Sequence, residues 1–369
     1  MTDGIGARTR LFNGGGVGDR TRDDGRFSSY LRNPRSTSGE EHTLVARGNE
    51  SATEMGADKA GAARNHDSHG CTLQQATIDD QPFDDRSDKP IDQEGVLLAM
   101  PATEMPPIGL GTFSSSNRHE WTERVETALE VGYRHIDTAQ VYGNEEYVGE
   151  GLRNAAVDRE DVFLATKTVH VDVPPTAEAV PAAIDGCLDR LGVDYVDLLY
   201  VHWPAGIYEH EPILSAYNEA YDAGKTRYVG LSNFNVELLE EAREHLDAPL
   251  LAHQVEMHPL LPQEELYAYA VEQDIYQVAY SPLAKGEIVN EPTVQDVADK
   301  HDATPHQISL AWLADHDQVV PIPKASSRAH MEENLAALEI ELDDEDRDRI
   351  AAIDREYRVI DPDHGPWNW

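Results

Sequence analysis

From residue 105 onward the chain alternates between short β-rich apolar runs and amphipathic helical segments. IGLG (108–111) precedes a predicted helix near 119–131, and RHID (134–137) precedes one near 144–155. VFLATK (162–167) leads into 175–191, DLLYVH (197–202) into 209–223, and YVGLS (228–232) into 235–245, with Asn233 as cap candidate. AHQVE (252–256) leads into 263–272, YQVAYS (276–281) into helices near 292–301 and 305–315, and VVPIP (319–323) into 328–337. Such alternation means a parallel sheet. Eight units fit a closed (β/α)8 TIM barrel, which takes about 250 residues. The rival doubly wound sheet would want G-x-G-x-x-G between its first strand and helix. GLGTF (109–113) has two of those glycines and not the third.

Residues 1–95 show neither period and are rich in Gly, Ser, Asn, Arg and Asp. We expect a disordered extension there, followed by one barrel domain over 96–369. GGGVG (14–18) has no strand before it and no Lys-Ser/Thr after it, so it is no phosphate loop. The extension reads either as a regulatory tail or, by preference, as a start assigned too far upstream of one near Met100.

The net charge of −39 is unevenly spread. The first 99 residues carry 17 acids and 12 bases, the remainder 52 acids and 18 bases. A surface this acidic repels nucleic acid and anionic membranes. Because the acids are distributed rather than massed in a tail, we read them as adaptation to high salt, where screening shrinks self-repulsion. The melting temperature is therefore expected to fall from molar salt to dilute buffer, and indifference to salt would refute the reading. Cys71 and Cys187 make neither a disulfide framework nor a metal site. No signal peptide is visible, and VLLAM (96–100) is too short to span a bilayer. A cytoplasmic monomer is the expectation.

In a barrel, reactive groups lie at the C-terminal ends of strands. Asp137, Lys167 and His202 end the second, third and fourth runs, and Tyr142 follows the second. Together these side chains can hand a proton to a carbonyl oxygen. A structural ion pair is the plainer reading of Asp137 and Lys167, and it is compatible with the chemical one.

The segments carrying these residues resemble the aldo-keto reductase family. They are MPPIGLGTF (105–113), GYRHIDTAQVYGNE (132–145), ATK (165–167), DLLYVHWP (197–204), VGLSNF (229–234), HQVEMHP (253–259), AYSPLAKG (279–286) and IPKASSRAHMEEN (322–334). The resemblance runs from residue 105 to about 354 and implies an NAD(P)H-dependent carbonyl reductase. It makes Tyr142 the general acid, Lys167 the cation that lowers its pKa from about 10, Asp137 the partner of Lys167, and His202 the group that orients the substrate oxygen. It assigns Ser232, Asn233 and Gln254 to the nicotinamide carboxamide, Tyr280 to its ring face, and Ser281 and Leu283 to the loop over the pyrophosphate. Lys324 matches the lysine on the 2′-phosphate, and Glu333 and Asn334 the pair at the adenine. Two positions depart: Ala325 stands where serine is common, and His330 where arginine is common. Arginine is the better phosphate clamp, so NADPH is the first expectation, NADH stays open, and Arg328 is a candidate substitute.

Phe113 and Trp203 match pocket walls, with Tyr142 and His202 at the floor. Only 30 residues separate His202 from Ser232, and 44 separate Tyr280 from Lys324. That spacing looks like the short-loop microbial members, including 2,5-diketo-gluconate reductase types, and implies an open pocket with broad specificity for a small-molecule carbonyl substrate. PWNW (366–369) either closes over the pocket or packs as core. Two other functions stand beside reduction: a sugar or alcohol dehydrogenase with the same residues, and a non-catalytic cofactor-sensing subunit.

Overall fold

The computed structural model describes residues 105–113, 117–169, 176, 179–204 and 208–368. The N-terminal extension, GGGVG, Cys71, the candidate start at Met100 and Trp369 lie outside the described residues. Eight parallel strands pair in chain order: β1 (Leu110–Gly111), β2 (His135–Asp137), β3 (Phe163–Thr168), β4 (Val196–Val201), β5 (Thr226–Ser232), β6 (Leu250–Glu256), β7 (Tyr276–Tyr280) and β8 (Val319–Pro321). The helices between and after them are α1 (Trp121–Val131), α2 (Glu145–Asn154), α3 (Val180–Leu191), α4 (His210–Asp222), α5 (Val236–Arg243), α6 (Glu264–Glu272), α7 (Pro292–Lys300), α8 (Pro305–Ala314), α9 (Arg328–Ala336) and α10 (Asp344–Ala351).

The seam closes through carbonyls that prolines still offer. Pro321 and Pro323 have no N–H, so the last strand is short. Their oxygens accept from the backbone N–H of Gly109 (2.9 Å) and Gly111 (3.2 Å). A Cβ on Gly111 would stand 2.6 Å from the Ile322 carbonyl oxygen, so only glycine allows this approach. The result is the (β/α)8 barrel.

Strand side chains alternate between faces, and this decides where the polar groups lie. Phe163 and Ala165 join Leu198, Tyr200, Ala252, Val278, Val320 and Ile322 in the cluster filling the barrel. Two residues on, the same inward rows reach Lys167 on β3, His202 beyond β4, Gln254 on β6, Tyr280 on β7 and Lys324 beyond β8. Asp137 follows His135, whose ring stands 5.2 Å from that of Phe163. The outward set, including Leu164, Leu199, Val229 and Leu231, packs under the helices in the largest cluster. The apolar packing lower in the barrel thus leaves its upper layer for chemistry.

Most helix ends fall within a residue or two of expectation. The start of α3 is Val180 rather than 175, and most of 170–178 lies outside the described residues. The cap of α5 is Asn235, whose side chain accepts from Leu238 N–H (2.9 Å), and not Asn233. Asn233 takes a left-handed conformation (φ 64°) two residues earlier, which turns its amide back toward the barrel mouth. Helix α10 was not expected. Its acidic sequence has little apolar period, and it is held by an Asp343–Asp346 capping box and by Lys300 and His301 of the α7 end.

Candidate active site

Lys167 and Asp137 form a buried ion pair at the mouth of the barrel, both almost fully shielded from solvent. The Lys167 ammonium also donates to the Thr138 carbonyl (2.8 Å), and Gln254 Nε2 donates to the second Asp137 oxygen (2.9 Å). Burial pushes the Lys167 pKa down, with the Asp137 charge opposing it. Tyr142 closes a single 3-10 turn, Gln140–Tyr142, directly above. Its ring meets Phe113 edge-on at 5.1 Å and His202 at 5.8 Å, and lies 5.5 Å from Lys167 Nζ. Phe113 is 56% exposed, unusual for so large an apolar side chain, as a wall of an open cleft would be.

Contrary to expectation, the Tyr142 phenol is not lowered by Lys167. Burial raises its pKa well above the usual value, with the charges of Asp137 and Tyr280 adding to the rise. The physical reason is burial, which disfavours the charged phenolate and outweighs the nearby Lys167 ammonium. The phenol therefore keeps its proton across the neutral range.

Ser232, Asn233 and Gln254 stand at the ends of β5 and β6, all buried. Asn233 Nδ2 donates to the His202 carbonyl (3.0 Å) and to Ser232 Oγ (3.1 Å), while its oxygen accepts from Tyr280 OH (2.8 Å). Ser281 (φ 49°), Ala284 (φ 47°) and Lys285 (φ 50°) are left-handed. The loop holding them and Leu283 is tied to α8 by Ser309 Oγ donating to the Pro282 carbonyl (2.6 Å).

The residues at the far end divide. Lys324 is exposed and Ala325 buried. Arg124 of α1, not anticipated, is close enough to add its charge to burial in lowering the Lys324 pKa. Arg328 is ion-paired with Glu130 and lies 3.6 Å from Glu332, so its charge is already engaged. His330 is exposed, its N–H capped by Ser327 Oγ. Glu333 accepts from Thr304 Oγ1 (2.8 Å), and Asn334 is buried beside the Tyr133 hydroxyl.

Three supporting groups were missed. Asn144 is buried and bridges loops: its oxygen accepts from Thr138 Oγ1 (3.1 Å) and its Nδ2 donates to the Thr112 carbonyl (2.8 Å). Glu145 accepts from Thr166 Oγ1 (2.6 Å) and from Arg190 Nε (2.8 Å), behind Lys167. Glu256 ends β6 and binds the backbone of the C-terminal segment. All three lie inside recognisable motifs, but nothing local signals their distant partners.

The Aldo/keto reductase family profile matches residues 107–355, the whole stretch that builds this barrel and its polar mouth. The chain belongs to the aldo/keto reductase family. Glyoxal reductase of Bacillus subtilis (strain 168) is 39% identical over 256 residues, covering 69% of this chain and 91% of that protein. Methylglyoxal reductase DkgB of Escherichia coli O157:H7 is 36% identical over 262 residues, covering 70% and 97%. Among solved structures, a putative 2,5-diketo-D-gluconic acid reductase B superposes with a TM-score of 0.67 at 34% identity, covering 71% of this chain and 92% of that one. This aldo/keto reductase is accordingly an oxidoreductase of carbonyl compounds, in a family that uses nicotinamide cofactors. Among its described residues no helix is long and apolar enough to cross a membrane.

Proposed function

We propose that this chain reduces aldehydes and ketones to alcohols with NAD(P)H, and that Tyr142 delivers the proton. The observation that carries the reading is a partly buried phenol in ring contact with His202 and above a buried Asp137–Lys167 pair. A hydroxyl that retains its proton at neutral pH can give it to an oxygen that gains negative charge. Asp137, itself held by Gln254, and the Thr138 carbonyl keep the Lys167 ammonium in place, and the ammonium stabilises the phenolate left behind. His202 orients the substrate oxygen toward Tyr142, and Phe113 and Trp203 exclude water from it.

The buried amides of Asn233 and Gln254, with Ser232 Oγ, supply donors and acceptors matched to a carboxamide, and Tyr280 lies beside them. These residues fit a nicotinamide, which supplies the hydride when bound. The acidic surface makes molar salt the medium of choice for assay.

The test is loss of reduced-nicotinamide absorbance with a panel of aldehydes and ketones in high salt. Turnover with carbonyl substrates supports the reading; binding of cofactor without turnover on any of them leaves a non-catalytic sensor.

Cofactor choice rests on few charges. With Arg328 held by Glu130 and His330 in place of arginine, discrimination for the 2′-phosphate falls chiefly on Lys324. His330→Arg is expected to raise the NADPH-over-NADH ratio of kcat/KM by about 10-fold, the scale of one charge-assisted hydrogen bond. The two Kd values by fluorescence should separate in parallel. An unmoved ratio would place phosphate recognition elsewhere.

A further inference from the structure

Lys167 is flanked by two tyrosine rings, and only one of them belongs to the proton donor. Tyr200 of β4 is the register partner of Lys167 on β3, so both side chains point to the inside of the barrel. The Lys167 ammonium lies over the Tyr200 ring at 5.6 Å, much as it lies over the Tyr142 ring at 5.5 Å. Room for the Tyr200 ring comes from Gly230, its register partner on β5. A Cβ there would stand 2.4 Å from the ring atoms Cδ1 and Cε1. Tyr200 is fully buried. Burial first and the Asp137 charge second hold its phenol well above the usual range, with the nearby Gln254 amide opposing, so it stays neutral.

An ammonium has three N–H donors. On Lys167 two of them reach oxygens, Asp137 Oδ1 and the Thr138 carbonyl, and no third oxygen accepts among the described residues. The lysine is fully buried, and a buried donor left unmade is costly. The negative face of an aromatic ring can receive a cation in place of an oxygen. The Tyr142 ring changes charge during turnover, whereas the Tyr200 ring does not. The Tyr200 hydroxyl itself makes no hydrogen bond among the described residues, so the ring is what this residue brings to the pair. The other titratable groups facing Lys167 are Asp137 and His135 of β2, Glu145 of α2 and Tyr142. Asp137 and Glu145 favour the ammonium against burial. His135, pulled down to about 4 chiefly by burial, is neutral.

We infer that Tyr200 is a positioning residue for the proton transfer: its ring face receives the third N–H of Lys167 and keeps that lysine charged and in place beneath Tyr142. The inference rests on the reductase reading and adds a residue to it. Its sign is definite. A ring that favours the ammonium delays loss of its proton as pH rises. Burial holds Lys167 below its ordinary value and Tyr142 well above, so the lysine titrates first on the alkaline side. Without the ring, activity is lost at lower pH.

The experiment is the pH profile of kcat/KM for benzaldehyde reduction by the full chain in constant molar salt. In Tyr200→Leu the alkaline limb should move down by about one pH unit, the scale of one desolvated cation–ring contact. Tyr200→Phe keeps the ring and should keep the limb. Fluorinating the phenylalanine ring at this position drains its negative face at nearly constant shape, so the limb should fall further with each added fluorine, whether or not Tyr200→Leu folds. A limb unmoved across the fluorine series overturns the inference, and so does Tyr200→Phe moving it as far as Tyr200→Leu. Uniformly lower activity with an unmoved limb reduces Tyr200 to packing. The titration of Lys167 can also be followed without turnover, by the NMR shifts of the Cε atoms of the seven lysines in the chain. If benzaldehyde is not reduced at any pH, the reductase reading fails, and the NMR titration then decides: a midpoint that falls with fluorination supports the ring contact, and a constant midpoint removes it.

Discussion

Replacing Tyr142 by phenylalanine is expected to lower kcat for aldehyde reduction by about two to four orders of magnitude, the range for losing a positioned general acid. The substitution removes one oxygen and keeps the ring, so the edge contacts with Phe113 and His202 persist. The groups assigned to the nicotinamide, Ser232, Asn233 and Gln254, make their hydrogen bonds without Tyr142. Cofactor Kd should therefore stay close to wild type while turnover collapses. Steady-state kinetics and cofactor fluorescence on the same preparation check both halves. Near-normal turnover would move the proton donor elsewhere.

Asp137→Asn is expected to cost stability as well as activity. The change leaves the Lys167 ammonium buried, with the Thr138 carbonyl and no counter-charge. Breaking a buried pair from one side costs about 3–5 kcal/mol, a large part of the ~5–15 kcal/mol that holds a typical domain. The pH dependence has a definite sign. Burial already holds the Lys167 pKa below its ordinary value, and Asp137 is the largest influence opposing it. Without that carboxylate the folded-state pKa drops further, while the unfolded chain keeps a lysine near pKa 10.4. Between the two values the unfolded state binds more protons, so stability rises with pH. The variant should be weakest at neutral pH and regain part of the loss toward pH 10, measured by denaturant unfolding in high salt. A melting temperature equal to wild type at neutral pH would mean that the pair contributes nothing to the fold.

The architecture was legible because two periodicities write it directly. Runs such as VFLATK and DLLYVH are apolar on both faces, as strands covered by helices must be, and the segments between them carry the helical period. Residues placed by that pattern, Asp137, Lys167, His202, Gln254 and Tyr280, come together at one mouth. What escaped depends on contacts between distant segments. Asn233 reads locally as a helix cap, and only its left-handed backbone sends its amide to Tyr280 and His202 instead. The direction of the Tyr142 shift depends on burial and on the charges of Asp137 and Tyr280, neither of which spacing reports. Arg328 looked available until α1 brought Glu130 against it. Helix α10 is polar along most of its length, and ion pairs to the end of α7 join the one buried apolar side chain, Ile350, in holding it. Glu256 and Val359 are 103 residues apart, and no pattern in either segment announces that one anchors the backbone of the other.

The claim at the centre is that the polar mouth around Tyr142 reduces a carbonyl with hydride from a nicotinamide. The most direct measurement is mass spectrometry of the alcohol made from an aromatic aldehyde with NADPH deuterated on the transferring face of C4, in molar salt. One deuterium at the carbinol carbon from the wild type, with Tyr142→Phe forming almost none of this alcohol in the same time, is the predicted result. Alcohol lacking deuterium from either face, or no alcohol from any aldehyde offered while cofactor binds, would contradict it.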